Sequence, residues 1–263
     1  MSDVQLRSFK LHRAVLSARC PHLLSLIDES NRCLAEIDDA TFAALFAHLY
    51  GNAPLQLPAR TRAELASILR LAYLREADCA GDVRAQDAMA AFFDDDGERE
   101  RTADLTFVCG DVRMRVHRFF VCRSEHFRLV LSAGMAEQMR GEVCLDDVEP
   151  GVIRAFLRYL YCDALVCDAD SVVDLLAVAD RFGAHALKQH AEAAIETTYD
   201  FTELGNVVDL VDIAERYGAT HLLRVALNAI GADFESEAVL RHIASVADVI
   251  SESAVALIRA AVK

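Results

Sequence analysis

The amino-acid sequence predicts a mostly helical α+β protein that contains two similar modules, the first of them abbreviated, followed by helical hairpins. Three observations support this fold class: a long internal repeat, strand patterns within the second copy of that repeat, and a shorter helical repeat near the C-terminus. The chain has 263 residues, which exceeds the usual size of a single hydrophobic core. Its residues are 54% hydrophobic with few Gly and Pro, a composition typical of helix-rich globular proteins.

The long repeat begins with FKLHRAVLSARCPHL at 9–23, which is echoed by MRVHRFFVCRSEHF at 114–127. The echo continues where IDDATFAALFAHLYGNAPL at 37–55 aligns with LDDVEPGVIRAFLRYLYCDAL at 145–165. Because the order, spacing and chemistry of the shared residues agree, the repeat predicts a duplicated module. The first copy is shortened at its hairpin and before residue 37, so we expect its sheet to have an open edge that needs a partner.

The second copy shows its local structure more clearly. Alternating β-favouring residues at 104–110 and 113–116 predict a β-hairpin. Apolar residues at helical spacing from 117 to 131 predict a helix, EVCL at 142–145 predicts a third strand, and Pro150 suits the first turn of another helix. The predicted order of elements is therefore β-β-α-β-α-α.

The shorter repeat joins SVVDLLAVADRFGAHAL, from Ser171, to NVVDLVDIAERYGATHL, from Asn206. Ser and Asn are favoured N-cap residues, and apolar residues follow each of them at helical spacing. Gly183 and Gly218 follow the last turns, where a left-handed residue most easily ends a helix. The sequence therefore predicts stacked helical hairpins.

The formal net charge of -14 disfavours non-specific binding to nucleic acid or to an anionic membrane, because both are polyanions. No apolar run has the length of a membrane span, and the first residues lack the apolar centre of a signal peptide. We therefore expect a location in the cytosol or the nucleus.

The eight cysteines are dispersed and form no C-x-x-C motif, which indicates small core residues in a reducing compartment. Cys162 and Cys167, with His185 and His190 nearby in sequence, suggest a zinc site, but their spacing matches no zinc module. The sequence thus predicts no metal and no cofactor.

Four regions follow from these patterns. Residues 1–93 form the abbreviated module with its trailing helices, and 94–103, DDDGERERTA, form a solvated acidic linker without apolar anchors. Residues 104–200 form the second module, and 201–263 form the remaining helical region. The acidic run does not have the spacing of an EF-hand loop, because Phe92 stands where the first aspartate is required.

The stretch from 103 to 165, with ADLTFVCGD, MRVHRFFVCRSEHFRLVL, GMAEQM and EVCLDDVEPGVIRAFLRYLYCDAL, resembles the BTB (POZ) domain without a missing element. Residues 1–55 resemble a second, abbreviated copy, and the C-terminal helices resemble the BACK region. Tandem copies of this kind are most like the C-terminal part of ankyrin-repeat-and-BTB proteins, although no ankyrin pattern is present here. The resemblance implies a protein-interaction module that self-associates, within one chain or as a homodimer.

The same resemblance implies a structural charge pair in each copy. Asp104 opens the first strand and Arg118 follows the family histidine, so we expect a buried carboxylate–guanidinium pair. Asp3 and Arg13 are the counterparts in the first copy. His117 and His12 lack a catalytic partner at a recognisable spacing, and we expect both to be packed, hydrogen-bonded residues at helix starts.

The loop GMAEQM, at 134–139, carries the pattern of a hydrophobic residue, any residue and glutamate that cullin-binding members of the family have at this place. An exposed thioether of Met135 can fill an apolar pocket while the Glu137 carboxylate fixes the register. The hypothesis from this resemblance is that Met135 and Glu137, with Tyr159 and Tyr161 on the following helix, bind the third cullin.

Three classes of function remain open from the sequence. The first is a non-catalytic substrate adaptor of a cullin-based ubiquitin ligase, and the second is a dimerising scaffold with no ligase role. The third is a hydrolase or transferase. The sequence does not favour this class, because it has no P-loop, dinucleotide-binding, nucleophile-elbow or HExxH motif. The sequence has no recognisable substrate-recognition region, so three sources of substrate choice stay open: an upstream part such as ankyrin repeats, a partner protein, or the BACK-like helices.

Overall fold

The computed structural model describes residues 4–29, 34–35, 37–51, 55–69, 82–132 and 141–262. The chain divides into two compact units. The first, here called the mixed unit, comprises Met1–Cys122, Leu131–Asp146 and Leu160–Ala164. The second, here called the helical unit, comprises Arg123–Val130, Asp147–Tyr159 and Leu165–Lys263.

The N-terminal part of the mixed unit is a short hairpin followed by helices. Its elements are β1 (Val4–Leu6), β2 (Phe9–Leu11), α1 (Arg13–Arg19), α2 (Pro21–Asp28), α3 (Asp39–Gly51) and α4 (Ala59–Ile68). The two strands are antiparallel, with Val4 opposite Leu11. Apolar residues from all three helices α1 to α3 meet in one core, among them Leu16, Leu23, Phe42 and Leu45, which are fully buried.

The next elements along the chain, from 82 to 144, are helices and the three strands of a second sheet. They are α5 (Asp82–Asp94), α6 (Asp96–Thr102), β3 (Leu105–Cys109), β4 (Val112–Val116), α7 (Arg118–Val121), α8 (Glu125–Ser132) and β5 (Glu142–Cys144). The sheet order is β4-β3-β5, with β3 antiparallel to β4 and parallel to β5. Leu105, Phe107 and Cys109 alternate toward the core. The predicted hairpin and third strand are thereby confirmed.

The predicted helix over 117–131 is two helices with a break at 122–124. Ser124, directly before α8, is fully buried, and its hydroxyl donates a 2.5 Å hydrogen bond to the carbonyl of Phe182. The apolar spacing runs through this break, which is why periodicity alone did not reveal it.

Most of the segment that the sequence predicts as a linker, 94–103, forms α6. Arg99 in this helix is only 3% exposed. Its guanidinium donates to the carbonyl oxygens of Phe93 and Arg115 and lies 4.9 Å from the centroid of the Phe93 ring. The aliphatic part of the Arg99 side chain therefore packs in the interior, while its guanidinium N–H groups donate hydrogen bonds to carbonyl oxygens.

The C-terminal elements are helices joined by short connections. They are α9 (Pro150–Cys162), a 3₁₀ turn (Ala169–Ser171), α10 (Val172–Arg181), α11 (His185–Thr198), α12 (Leu204–Arg216), α13 (Thr220–Asp233), α14 (Ser236–Val246) and α15 (Glu252–Ala261). Helix α10 packs on α11, and α12 packs on α13, as the shorter repeat predicts. No helix in the described ranges is both long and apolar enough to cross a bilayer.

Each of these two pairs turns at a left-handed glycine. Gly183 and Gly218 have φ of +62° and +57°, and the N–H groups that follow the helix ends return to carbonyls five residues back, from Ala184 to Ala179 and from Ala219 to Ala214. This is the Schellman arrangement, and it confirms the predicted helix ends. The predicted N-caps differ: Ser171 stands at the cap position without a side-chain cap bond, and Asn206 lies inside α12. Helix α12 starts three residues earlier than predicted, with Glu203 at the cap position, and Leu204 packs on the helical core.

A buried carboxylate ties α12 to the start of α15. Asp212 is 5% exposed; its Oδ1 accepts from the backbone N–H of Ser251 at 2.8 Å, and its Oδ2 accepts from Arg216 at 2.5 Å. Despite the burial, which by itself raises the pKa of Asp212, these hydrogen bonds hold that pKa below its ordinary value. Ser251 in turn caps α15 by accepting from the N–H of Ala254.

The left-handed glycine is a test of the helical unit. Gly218→Ala places a side chain at φ of +57°, so we expect the free energy of unfolding to fall by about 1–2 kcal/mol in urea denaturation. Gly205→Ala is the matched control, because Gly205 lies in the first turn of α12 and an added Cβ would meet nothing closer than 3.7 Å. That change is expected to be neutral or to stabilise by up to about 1 kcal/mol. Equal destabilisation by both would contradict the assigned backbone conformation.

A second test concerns Cys20, between α1 and α2. Its side chain is fully buried, and burial raises the pKa of the thiol to about 12. The folded state therefore disfavours the thiolate. The buried thiol then lowers the free energy of unfolding as the pH rises above the unfolded thiol pKa of about 8.5. We expect iodoacetamide at pH 8 to modify the exposed Cys144 well before Cys20, as followed by peptide mass spectrometry. Equal rates at the two thiols would show that the α1–α2 core is open.

Candidate interaction site

His117 stands directly before α7 and is 5% exposed. Its backbone N–H donates to the hydroxyl oxygen of Tyr161 at 2.8 Å, and its ring Nδ1 lies 2.8 Å from the same oxygen. The other ring nitrogen, Nε2, lies 2.9 Å from Oγ1 of Thr102. Both ring nitrogens are thus engaged by protein groups, which makes this histidine part of the folded framework rather than a metal ligand.

Tyr161 closes this arrangement from the end of α9. Its ring is 3% exposed and stacks on Phe120 with centroids 4.2 Å apart, and Phe93 meets it edge-on at 4.9 Å. Burial raises the pKa of the phenol well above its ordinary value, so the hydroxyl stays protonated.

Both tyrosines that the sequence hypothesis assigns to cullin binding are buried, and their binding role stays a prediction. Tyr159 is also only 3% exposed, and its hydroxyl lies 3.0 Å from Nδ1 of His190. Apolar spacing along α9 places them on inward faces, whereas the resemblance had suggested surface contacts. In this structure neither side chain is presented to a partner.

The N-terminal part of the mixed unit contains the same hydrogen bond. His12 stands directly before α1, and its backbone N–H donates to the hydroxyl of Tyr50 at 2.7 Å. Tyr50 lies near the end of α3, as Tyr161 lies near the end of α9. The His-Arg and Leu-Tyr pairs of the sequence repeat therefore serve one local geometry in two places.

Asp104 and Arg118 lie together, but the pair is not buried. Oδ1 of Asp104 accepts from the backbone N–H of Arg118 at 2.8 Å, and the guanidinium Nε is 4.0 Å from Oδ2. The Asp104 side chain is 52% exposed. Its main structural effect is to satisfy the first N–H of α7, a group that no carbonyl of that helix can reach. The expected buried pair is wrong in its burial because the strand start is open to solvent.

Arg13 contacts a different carboxylate. Its guanidinium donates two parallel hydrogen bonds to Asp28, of 2.8 and 2.9 Å, and these lower the pKa of Asp28. Asp3 lies outside the described residues, so the Asp3–Arg13 pair stays a prediction.

Met135 and Glu137 lie outside the described residues as well, in the segment that joins α8 to β5. The helix that leads into this segment presents an apolar residue to solvent, since Leu129 is 58% exposed. Sequence reasoning missed Leu129. The available signal was that it falls off the helical spacing of Phe127 and Leu131, which are both buried.

The helical unit contains a cavity of about 500 Å³ with an acidic lining. The described lining residues are Asp147, Val148, Glu149, Val152, Asp174, Ala177, Val178, Asp180, Arg181 and Tyr217. Arg181 donates to Asp147 at 2.5 Å and lowers the pKa of that carboxyl. Four carboxylates against one guanidinium favour cationic over anionic ligands, and no Ser or Cys nucleophile is among these residues. Among the described residues, no group of three or more His, Cys, Asp or Glu side chains is arranged to hold a metal ion.

Residues 93–199, which include the His117–Tyr161 arrangement, match the sequence profile of the family described as BTB/POZ domain. The chain contains a BTB/POZ domain. The match begins at Phe93, so the matched residues include α6.

Curated relatives share the BTB/POZ domain. The chain is 35% identical over 88 residues to BTB/POZ domain-containing protein 9 of Drosophila melanogaster, covering 32% of this chain and 12% of that protein. It is 29% identical over 86 residues to Kelch-like protein 41 of Homo sapiens, covering 32% of this chain and 14% of that protein. The match thus spans only a small part of the length of these relatives.

Among solved structures, the BTB domain of zebrafish PATZ1 is similar, with a TM-score of 0.37 and 17% sequence identity. The similarity covers 43% of this chain and 92% of that chain.

The Tyr161 hydroxyl is testable as a structural group. Tyr161→Phe leaves the buried N–H of His117 without its acceptor, so we expect a loss of about 1–3 kcal/mol in the free energy of unfolding measured by urea denaturation. Tyr199→Phe, at the partly exposed end of α11, is the control and should change it by less than about 0.5 kcal/mol. A neutral Tyr161→Phe variant would show that the bond is not a stability determinant.

Proposed function

We propose that this protein is a non-catalytic protein-interaction adaptor whose BTB/POZ domain recruits the third cullin, the scaffold of a ubiquitin ligase. The observation that supports the proposal most directly is the BTB/POZ match over 93–199, within which Met135-Ala136-Glu137 falls between α8 and β5. This is the place where cullin-binding domains of the family carry a hydrophobic residue, any residue and glutamate.

The chemistry of this segment suits a protein partner. The flexible, polarizable side chain of Met135 adapts to an apolar pocket, and the carboxylate of Glu137 offers a charge-assisted hydrogen bond. A methionine followed two residues later by a glutamate offers an apolar contact and a polar contact together, a combination that is usual at interfaces.

We further propose that residues 1–93 are an abbreviated BTB/POZ copy and that the helices of 201–263 are BACK-like. The bond from His12 to Tyr50 supports the first proposal, because it repeats that from His117 to Tyr161. The repeated Schellman ends at Gly183 and Gly218 support an array of helical hairpins. This arrangement is most like the C-terminal part of ankyrin-repeat-and-BTB proteins, and the net charge of -14 suits a protein partner in the cytosol or the nucleus rather than a nucleic acid.

A scaffold that only tethers or dimerises is the second candidate function. The contacts between the N-terminal elements and the BTB/POZ domain support it, because they join segments of the chain without any further partner. Such a scaffold would be indifferent to changes at Met135.

The adaptor proposal predicts direct cullin binding. We expect the full chain to bind the purified N-terminal region of the third cullin in isothermal titration calorimetry. Met135→Ala and Glu137→Ala are each expected to weaken binding by about tenfold or more, because truncation of a central contact typically costs more than 1 kcal/mol.

Leu240→Ala is the matched control, since Leu240 is an exposed leucine (48%) in α14, outside the BTB/POZ domain. It should leave the affinity unchanged. Absence of binding by the unmodified chain, or equal affinities for all variants, would overturn the adaptor proposal in favour of the scaffold.

A further inference from the structure

Within the mixed unit, helix α1 of the N-terminal part packs on α5 and α6, which lead into and open the BTB/POZ domain. The second to fourth residues of α1, which are Ala14, Val15 and Leu16, are buried, each with less than 5% of its surface exposed. An isolated two-stranded hairpin such as β1–β2 is marginal in water. The N-terminal elements therefore bury apolar side chains against the BTB/POZ domain, because their own two-stranded sheet is too small to cover them.

An aromatic contact joins the two parts at equivalent helix starts. The ring of His12 stacks on Phe119 of α7, with centroids 3.9 Å apart and an interplanar angle of 29°. Tyr50 meets the same Phe119 ring edge-on, with centroids 6.1 Å apart. The two residues that form the N-terminal His–Tyr bond thus also hold Phe119, which lies two residues after the BTB/POZ histidine.

From these contacts we propose that the described residues of 4–69, here called the N-terminal module, are the in-chain partner of the BTB/POZ domain. The module covers the α7 surface around Phe119, so the chain closes on itself and is a monomer. The α7 surface around Phe119 thus binds a BTB-like segment of the same polypeptide. A second copy of the chain does not bind there.

The covalent connection makes the in-chain arrangement the favoured one. Two segments of one polypeptide meet at an effective concentration in the millimolar range when the connection between them can span the distance. Separate chains at about 1 μM would meet roughly a thousand times less often, so the same contacts form within one chain first. Exchange of modules between two chains would use identical contacts and give a dimer, which is the competing arrangement that the experiment must separate.

This inference goes beyond the adaptor function and does not rest on cullin binding. A monomer would present one BTB/POZ domain to a partner, whether or not that partner is a cullin. Failure of the test below would leave the Met135 and Glu137 experiment unaffected, because that experiment measures affinity and this one measures which chain supplies the contact.

The test replaces Phe119 by the photoreactive residue p-benzoylphenylalanine in the full chain. After irradiation we expect a cross-link to the peptide that contains His12, found by mass spectrometry in the gel band of a single chain of 29.0 kDa. The same residue in place of Val249, which is 78% exposed in the helical unit, is the control and should give no such cross-link. A His12 cross-link confined to a band of twice the mass, or none at all, would overturn the proposal.

A second measurement uses a variant that keeps the natural amino acids. Phe119→Ala removes an aromatic pair of the kind that typically contributes a moderate stabilisation, so we expect backbone amides of α1 to exchange hydrogen about twofold to tenfold faster. Amides of α12 should be unaffected. Light scattering of the unmodified chain between 1 and 100 μM, chosen as roughly the range in which dimers of ordinary affinity form, should give the monomer mass throughout. Unchanged exchange in α1, or a mass that doubles with concentration, would contradict in-chain pairing.

Discussion

The BTB/POZ domain depends on one buried hydrogen-bonded group, the hydroxyl of Tyr161 against the start of α7. The hydroxyl oxygen accepts a hydrogen bond from the backbone N–H of His117, which lies between the end of β4 and the start of α7. Neither β4 nor α7 provides an acceptor for this N–H group. Because the tyrosine comes from the end of α9, a single contact joins the hairpin, the helix start and a helix more than forty residues later in the chain. Phe93, Phe120 and Thr102 then complete a dry, satisfied environment around it.

The N-terminal module uses the same solution with a smaller sheet. His12 and Tyr50 repeat the bond, but the strands beside them number only two in the described part. The aromatic rings that would otherwise face solvent at this helix start instead pack on Phe119. The N-terminal module thus keeps the local His–Tyr geometry of the sequence repeat with a two-stranded hairpin in its described part, and it contacts the BTB/POZ domain through His12 and Tyr50.

Much of this fold could be predicted from the sequence, because local rules determine it. The hairpin at 105–116, strand β5, the start of α9 at Pro150 and the glycine ends at 183 and 218 each have a short-range signal and were predicted. What sequence reasoning missed depends on tertiary contacts. Arg99 reads as a solvated charge until its acceptors are seen, and Tyr161 reads as a surface residue until its burial is known. The candidate site was predicted only in part: the apolar spacing of α8 indicates that Leu129 is exposed, but spacing alone does not distinguish an interaction residue from a single apolar residue on an ordinary surface.

The paired glycines at 183 and 218 also bear on how such a chain can change in length. Each ends its helix with the same left-handed turn and the same returning hydrogen bonds, so each sends the chain into its next helix in the same local geometry. A hairpin bounded in this way is a self-contained unit of growth. Whole units can be gained or lost by duplication and deletion while the junctions on either side stay compatible, and stability then changes by roughly one unit and one contact surface at a time.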